Sequence, residues 1–75
     1  MEILEVDARG LRCPLPVLRA RKRLNAIAPG TCLRVLTDDP MAQIDMPHFC
    51  NQSGHEMLSA EDCGGHHVFV IRKSA

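Results

Sequence analysis

The sequence has no Trp and no Tyr, and its only aromatic rings besides histidine are Phe49 and Phe69. A base-stacking platform of several aromatics, the usual means of holding single-stranded nucleic acid, is therefore excluded. No apolar run approaches the ~18 residues that a membrane span needs. The opening Met1-Glu2-Ile3-Leu4-Glu5-Val6-Asp7 places acids where a secretory leader requires bases. These absences lead to the expectation of a cytoplasmic chain with no membrane association, in a compartment where thiols stay reduced. There is no C-x-x-C pair to support dithiol exchange, and no G-x-G-x-x-G or P-loop to cradle a cofactor phosphate. No cofactor and no metal is expected on these grounds.

What is present fits one small domain spanning 1–75. With 75 residues, such a chain buries only about 60% of the surface that its unfolded form exposes. Lys plus Arg number 9 and Asp plus Glu number 9, so the formal net charge is zero. The balance hides an asymmetry. Between Ala8 and Thr37 lie seven bases (Arg9, Arg12, Arg19, Arg21, Lys22, Arg23, Arg34) and no acid. From Asp38 to Asp62 lie six acids and no Lys or Arg. Solvated helix faces would account for this, and so would a basic surface that docks an acidic partner protein. Direct nucleic-acid binding through Arg19, Arg21, Lys22 and Arg23 is the weaker alternative, because the acidic half would repel a polyanion.

Hydrophobic periodicity orders the chain as βαβαββ. Ile3–Asp7 alternates and forms a first strand. After a loop, Cys13-Pro14-Leu15-Pro16 opens a helix, with Cys13 as N-cap and proline in the first turn, where its missing N–H costs nothing. Val17, Ala20, Leu24 and Ile27 form its buried stripe, and Pro29-Gly30 stops it. A strand follows over 31–37. Asp39 caps a second helix with Pro40 in its first turn, and that helix ends at Gly54. Pro47 inside it predicts a kink or an irregular first turn. Strands over 56–61 and 66–72 close a hairpin around Asp62-Cys63-Gly64-Gly65. The fold class is α/β (α+β), a two-layer sandwich. A mixed four-stranded sheet carries two helices on one face, because each helix stripe needs a surface to bury against.

Cys13 is the candidate for chemistry. At a helix start, unpaired N–H groups and the positive end of the dipole would face its side chain. Pro14 and Pro16 have no N–H and fix the entry of the chain, so Leu15 and Val17 supply the donors. Arg12 is adjacent and Arg9 close. A thiol so placed can fall from ~8.5 to as low as ~3.5–7.5, and the thiolate is the nucleophile. The bland alternative is a packed cysteine, but Cys is a poor cap against Ser, Thr, Asp or Asn. Cys32 and Cys50 are expected in the core, and Cys63 in an exposed turn beside Asp62. His48, Cys50, His55, Cys63, His66 and His67 could suggest zinc, yet only Cys63-x-x-His66 has suitable spacing, and a full site needs two such pairs. A small zinc-binding or protein- or RNA-interaction module is the alternative functional class.

Leu11-Arg12-Cys13-Pro14-Leu15-Pro16, preceded by Asp7-Ala8-Arg9-Gly10, resembles the Cys-Pro-x-Pro signature of TusA-type sulfur carriers, the TusA/SirA/YedF family. The likeness continues through Pro29-Gly30, Thr37-Asp38-Asp39-Pro40, Asp45-Met46-Pro47, Phe49-Cys50 and Gly54-His55-Glu56. Leu15 fills the variable position, which relatives often give to a polar residue. The resemblance implies a two-layer α/β sandwich and a carrier rather than a free-standing enzyme. Cys13 would take sulfane sulfur as a persulfide from a cysteine desulfurase or other donor. It would hand that sulfur to a downstream relay protein or thiotransferase. Destinations in the family include 2-thiouridine in tRNA, molybdenum-cofactor synthesis and sulfur oxidation. Arg12, Pro14, Leu15, Pro16 and Val17 are the expected supports of Cys13. Arg9, Arg19, Arg21, Lys22 and Arg23 form the expected partner surface, on a monomer by default.

Overall fold

The structure, a computed structural model, describes residues 3–74. Met1, Glu2 and Ala75, which the single-domain expectation included, lie outside the described residues. The elements are β1 (Ile3–Asp7), α1 (Leu15–Asn25), β2 (Cys32–Thr37), α2 (Ala42–Ser53), β3 (Glu56–Asp62) and β4 (His67–Arg72). They join in one sheet of order β1-β2-β4-β3. The β1–β2 pair is parallel, and β4 runs antiparallel to both of its neighbours. The expected βαβαββ order and mixed sheet are therefore observed.

Strand register explains the core. Leu4 pairs with Leu33, Leu33 with Ile71, and Ile71 with Met57, which makes an apolar row across all four strands. Two residues further along, Val6, Val35, Phe69 and Ala60 form a second row. Side chains alternate along a strand, so both rows face the same way. Pro16, Ala20 and Leu24 of α1 and Ala42, Met46 and Cys50 of α2 are buried, at helical spacing. Except for Pro16, these helix residues join the strand rows, exposed Ala60 apart, in one cluster. Val17 and Ile27 of the predicted stripe pack only at its margin. The other face of the sheet carries half-buried Leu36, Val68 and Val70. The cross-strand ion pairs Arg34–Glu5 and Arg72–Glu56 are exposed. Near the start of β3 the register shifts between Met57 and Ser59, leaving Leu58 as a bulge.

Element ends depart from expectation by small amounts with clear causes. α1 stops at Asn25 rather than at Pro29-Gly30; beyond it the Ala26 and Ile27 N–H groups donate three residues back, to Arg23 and Leu24, so the last turn tightens ahead of the proline. The carbonyl of Ile27 beyond its end accepts from Lys73 Nζ at 2.6 Å. α2 ends as expected, with Gly54 left-handed at φ 80°. Pro47 lies inside α2, which runs unbroken from Ala42 to Ser53. The irregularity falls in the first turn, where Ala42, Gln43 and Ile44 donate to carbonyls three residues back. Because α1 follows β1, α2 follows β2, and the two strands are parallel, both helices begin at the same edge of the sheet. That edge is where open α/β sheets bind ligands.

Candidate functional site

The loop from Ala8 to Pro14 connects β1 to α1 and is held by the start of the neighbouring βα unit. Ala8 N–H donates to the Leu36 carbonyl at 2.7 Å and prolongs the parallel ladder. Gly10 N–H and Arg12 Nη1 both donate to Asp38 Oδ1, at 2.9 and 3.0 Å. Gly10 has φ 83°, a left-handed conformation that only glycine adopts freely. Cys13 N–H donates to Asp39 Oδ2 at 2.6 Å, and the other Asp39 oxygen accepts from Met41 N–H at 3.1 Å. Asp39 N–H in turn donates to Thr37 Oγ1 at 3.2 Å. Asp39 is only 4% exposed. It stands two residues ahead of the α2 N-cap, which is Met41 rather than the expected Asp39; its carboxylate ties the Met41 N–H there to the backbone of Cys13.

Cys13 itself is exposed. Its expected electrostatic surroundings are not those observed. α1 begins at Leu15 with Pro14 in the N-cap position, so Cys13 stands one residue ahead of the cap. Leu15 N–H donates to the Arg12 carbonyl at 2.8 Å, closing a turn, and is not directed at the sulfur. Val17 N–H makes no hydrogen bond to the sulfur among the described residues, and its side chain lines the adjoining groove instead. Arg12 pairs with Asp38 at 3.0 Å and Arg9 with Asp7 at 2.8 Å, so neither guanidinium serves the thiol. The charges that act most on the thiol are acidic, although Arg21 also lines the groove. Hydrogen bonding to the Asp45 carboxylate, partial desolvation, and the charges of Asp45 and Asp39 push the Cys13 thiol above its ordinary value. The expectation of a depressed thiol is thus reversed. Two cations that were to lower it are consumed by local acids, and the second helix brings a carboxylate up to the sulfur.

Cys13 opens onto a shallow groove of about 270 Å³ between the two helices, lined by Pro14, Val17 and Arg21 from one side and Asp45, His48, Phe49 and Gln52 from the other. This is below the ~300 Å³ at which pockets begin to enclose small molecules. A larger hollow of about 590 Å³ lies between β1 and α1, but no cysteine lines it. Its rim combines exposed Leu15 and Leu18 with Arg19, Lys22 and Arg23. The bases of α1 therefore do not form one face: Arg21 faces the cysteine groove, and the other three face the β1 side.

Sequence reasoning missed Asp45 and His48 as neighbours of Cys13, and the second role of Asp39. A signal was available, because Asp45, His48 and Gln52 recur at three- and four-residue spacing and so share one helix face. The remaining thiols fall as expected. Cys32 and Cys50 are buried, and Cys63 is exposed. Burial pushes Cys50 up to about 11. His55 is tied to the C-terminal segment, its Nδ1 accepting from Ser74 N–H at 3.1 Å. Among the described residues no three His, Cys, Asp or Glu side chains gather to hold a metal. No helix among them is long and apolar enough to cross a membrane.

Comparison with known proteins shows the family and the fold. Residues 4–73 match the family model described as sulfurtransferase TusA. The chain is similar to the sulfur carrier protein TusA of Allochromatium vinosum, 46% identical over 70 residues that cover 93% of this chain and 92% of that protein. It is 40% identical to the sulfur carrier protein TusA of Pseudomonas putida, over 93% of this chain and 88% of that one. The crystal structure of a SirA-like protein from Desulfitobacterium hafniense superposes with a TM-score of 0.82 at 27% identity, covering 99% of this chain and 100% of that chain.

Proposed function

Since the chain belongs to the TusA family of sulfur carriers, we propose that Cys13 is the residue that accepts sulfane sulfur as a persulfide and passes it on. The observation that carries this reading is an exposed thiol on a loop pinned by Asp38 and Asp39, at the mouth of a groove too shallow to enclose a metabolite. Such a thiol suits exchange between proteins. In loading, Cys13 Sγ attacks the terminal sulfur of a persulfide on a cysteine desulfurase. The new Sγ–S bond forms as the donor's S–S bond breaks, and the departing donor thiolate takes the proton that Cys13 gives up. No net oxidation or reduction occurs. Delivery repeats the step with a thiol of a relay protein or thiotransferase as the attacking group.

The donor and acceptor meet Cys13 in turn. The exposed Leu15 and Leu18, with Arg19, Lys22 and Arg23 beside them and Arg21 at the groove, form the surface on which an acidic partner docks. Arg9 and Arg12 contribute less, since each is already paired with an aspartate. The carrier works in the cytoplasm, and its sulfur goes to 2-thiouridine in tRNA or into another sulfur-trafficking pathway. The test is desulfurase turnover. Wild-type protein relieves the desulfurase of its persulfide and raises alanine release from cysteine, whereas Cys13→Ser does not. Equal stimulation by the variant would refute the assignment.

A further inference from the structure

We propose that Asp45 sets the charge at the carrier sulfur: facing Cys13 across the groove, its carboxylate disfavours every anionic form of that sulfur, so the empty carrier rests as an unreactive thiol and the loaded carrier surrenders its sulfur readily. The inference rests on Cys13 being the carrier residue, and it adds a device that biases the direction of transfer.

Three features place the device. Asp45 lies in the first turn of α2, on the face that lines the groove with Cys13. The Asp39 bond to Cys13 N–H at 2.6 Å ties the cysteine backbone to this acidic end. The bases nearest in sequence are turned elsewhere, Arg12 to Asp38 and Arg9 to Asp7. The groups that face the sulfur are Asp45 and His48 from α2, Asp39 ahead of α2, and Arg21 from α1. Asp45 lines the groove with Cys13, and its carboxylate is the largest influence holding the thiol above its ordinary value.

The chemical consequence differs between the two states. A thiol is neutral near neutral pH, and a carboxylate beside it keeps it so. The thiolate needed for attack is scarce until a partner's cation offsets Asp45. A persulfide is anionic near neutral pH, so once sulfur is loaded the same carboxylate faces a like charge. The loaded state rises in free energy relative to the empty one, and the equilibrium with an acceptor thiol moves toward delivery. No oxidant or reductant enters.

The experiment uses the full chain in a Cys63→Ser background, which removes the other exposed thiol. Iodoacetamide alkylation of Cys13 is followed against pH by mass spectrometry, for Asp45 and for the Asn, Ser and Glu variants at that position. Asp45→Asn and Asp45→Ser are expected to shift the profile to lower pH and to speed alkylation at neutral pH several-fold. Asp45→Glu keeps the wild-type profile. Glutathione persulfide then serves as the sulfur source, and the loaded fraction at equilibrium is expected to rise several-fold in the two neutral variants. Circular dichroism verifies the fold of each. Superimposable profiles, or loaded fractions equal to wild type, would overturn the proposal while leaving the carrier assignment standing. Persulfide found elsewhere than Cys13 would overturn the carrier assignment itself.

Discussion

Replacing Asp39 by alanine tests how the site is built. The buried carboxylate accepts the Cys13 N–H at 2.6 Å and the Met41 N–H at 3.1 Å. Hydrogen bonds to a charged acceptor contribute about 1.5–3 kcal/mol each. The truncation takes both away, and taking each at the low end gives a loss of about 3 kcal/mol. A chain of 75 residues has a total stability of roughly 4–11 kcal/mol, so the variant forfeits between a quarter and three quarters of it. For a domain of this size about 3 kcal/mol lowers Tm by roughly 12–24 °C. Urea unfolding followed by circular dichroism should show a lower midpoint with an unchanged slope. Asp39→Asn keeps one acceptor oxygen but turns an amide toward the second N–H, and should lose about half as much. A loss below about 1 kcal/mol in Asp39→Ala would refute the claim that this carboxylate joins the cysteine loop to α2.

The bidentate Arg9 bond holds Asp7 down at about 2. An NMR titration should show this value, and Arg9→Ala should return Asp7 to the ordinary carboxylate range; because the folded value is depressed, the small stabilisation it gives is complete above the unfolded value and is lost as pH falls toward about 2. Burial, with Lys73 nearby, holds His55 below its usual value. The unfolded chain then binds the proton more readily, so stability falls as pH drops below the ordinary histidine range. Protonation also removes the acceptor for Ser74 N–H, so Ser74 amide exchange, corrected for intrinsic rate, should accelerate as pH falls through the His55 titration. In native protein iodoacetamide should label Cys63 and, more slowly, Cys13, while Cys50, pushed up to about 11, is protected until unfolding. Labelling of Cys50 at the rate of Cys63 would contradict the observed core.

The element order was legible because each element announces itself locally. β1 alternates, Ala20 and Leu24 repeat at helical spacing, and Gly54 supplies a left-handed stop. Asp39 was legible as lying near the start of α2, but the cap itself falls at Met41. The surroundings of Cys13 were not, because they are set by tertiary pairing. Sequence adjacency put Arg12 at the sulfur, but the guanidinium reaches 26 residues along the chain to Asp38. Parallel pairing of β1 with β2 brings the start of α2 to the cysteine, and nothing within a short window of Cys13 reports that Asp45 will arrive there. The basic stretch misled in the same way. Its charges are contiguous in sequence, yet the helix turns Arg21 to one side and Arg19, Lys22 and Arg23 to the other.

The measurement closest to the central claim is the mass of the protein after incubation with a cysteine desulfurase and cysteine, followed by peptide mapping. Wild-type protein should gain one sulfur on the peptide containing Cys13, and Cys13→Ser should gain none while keeping its fold. Sulfur gained by that variant on Cys63 or any other residue would contradict the account.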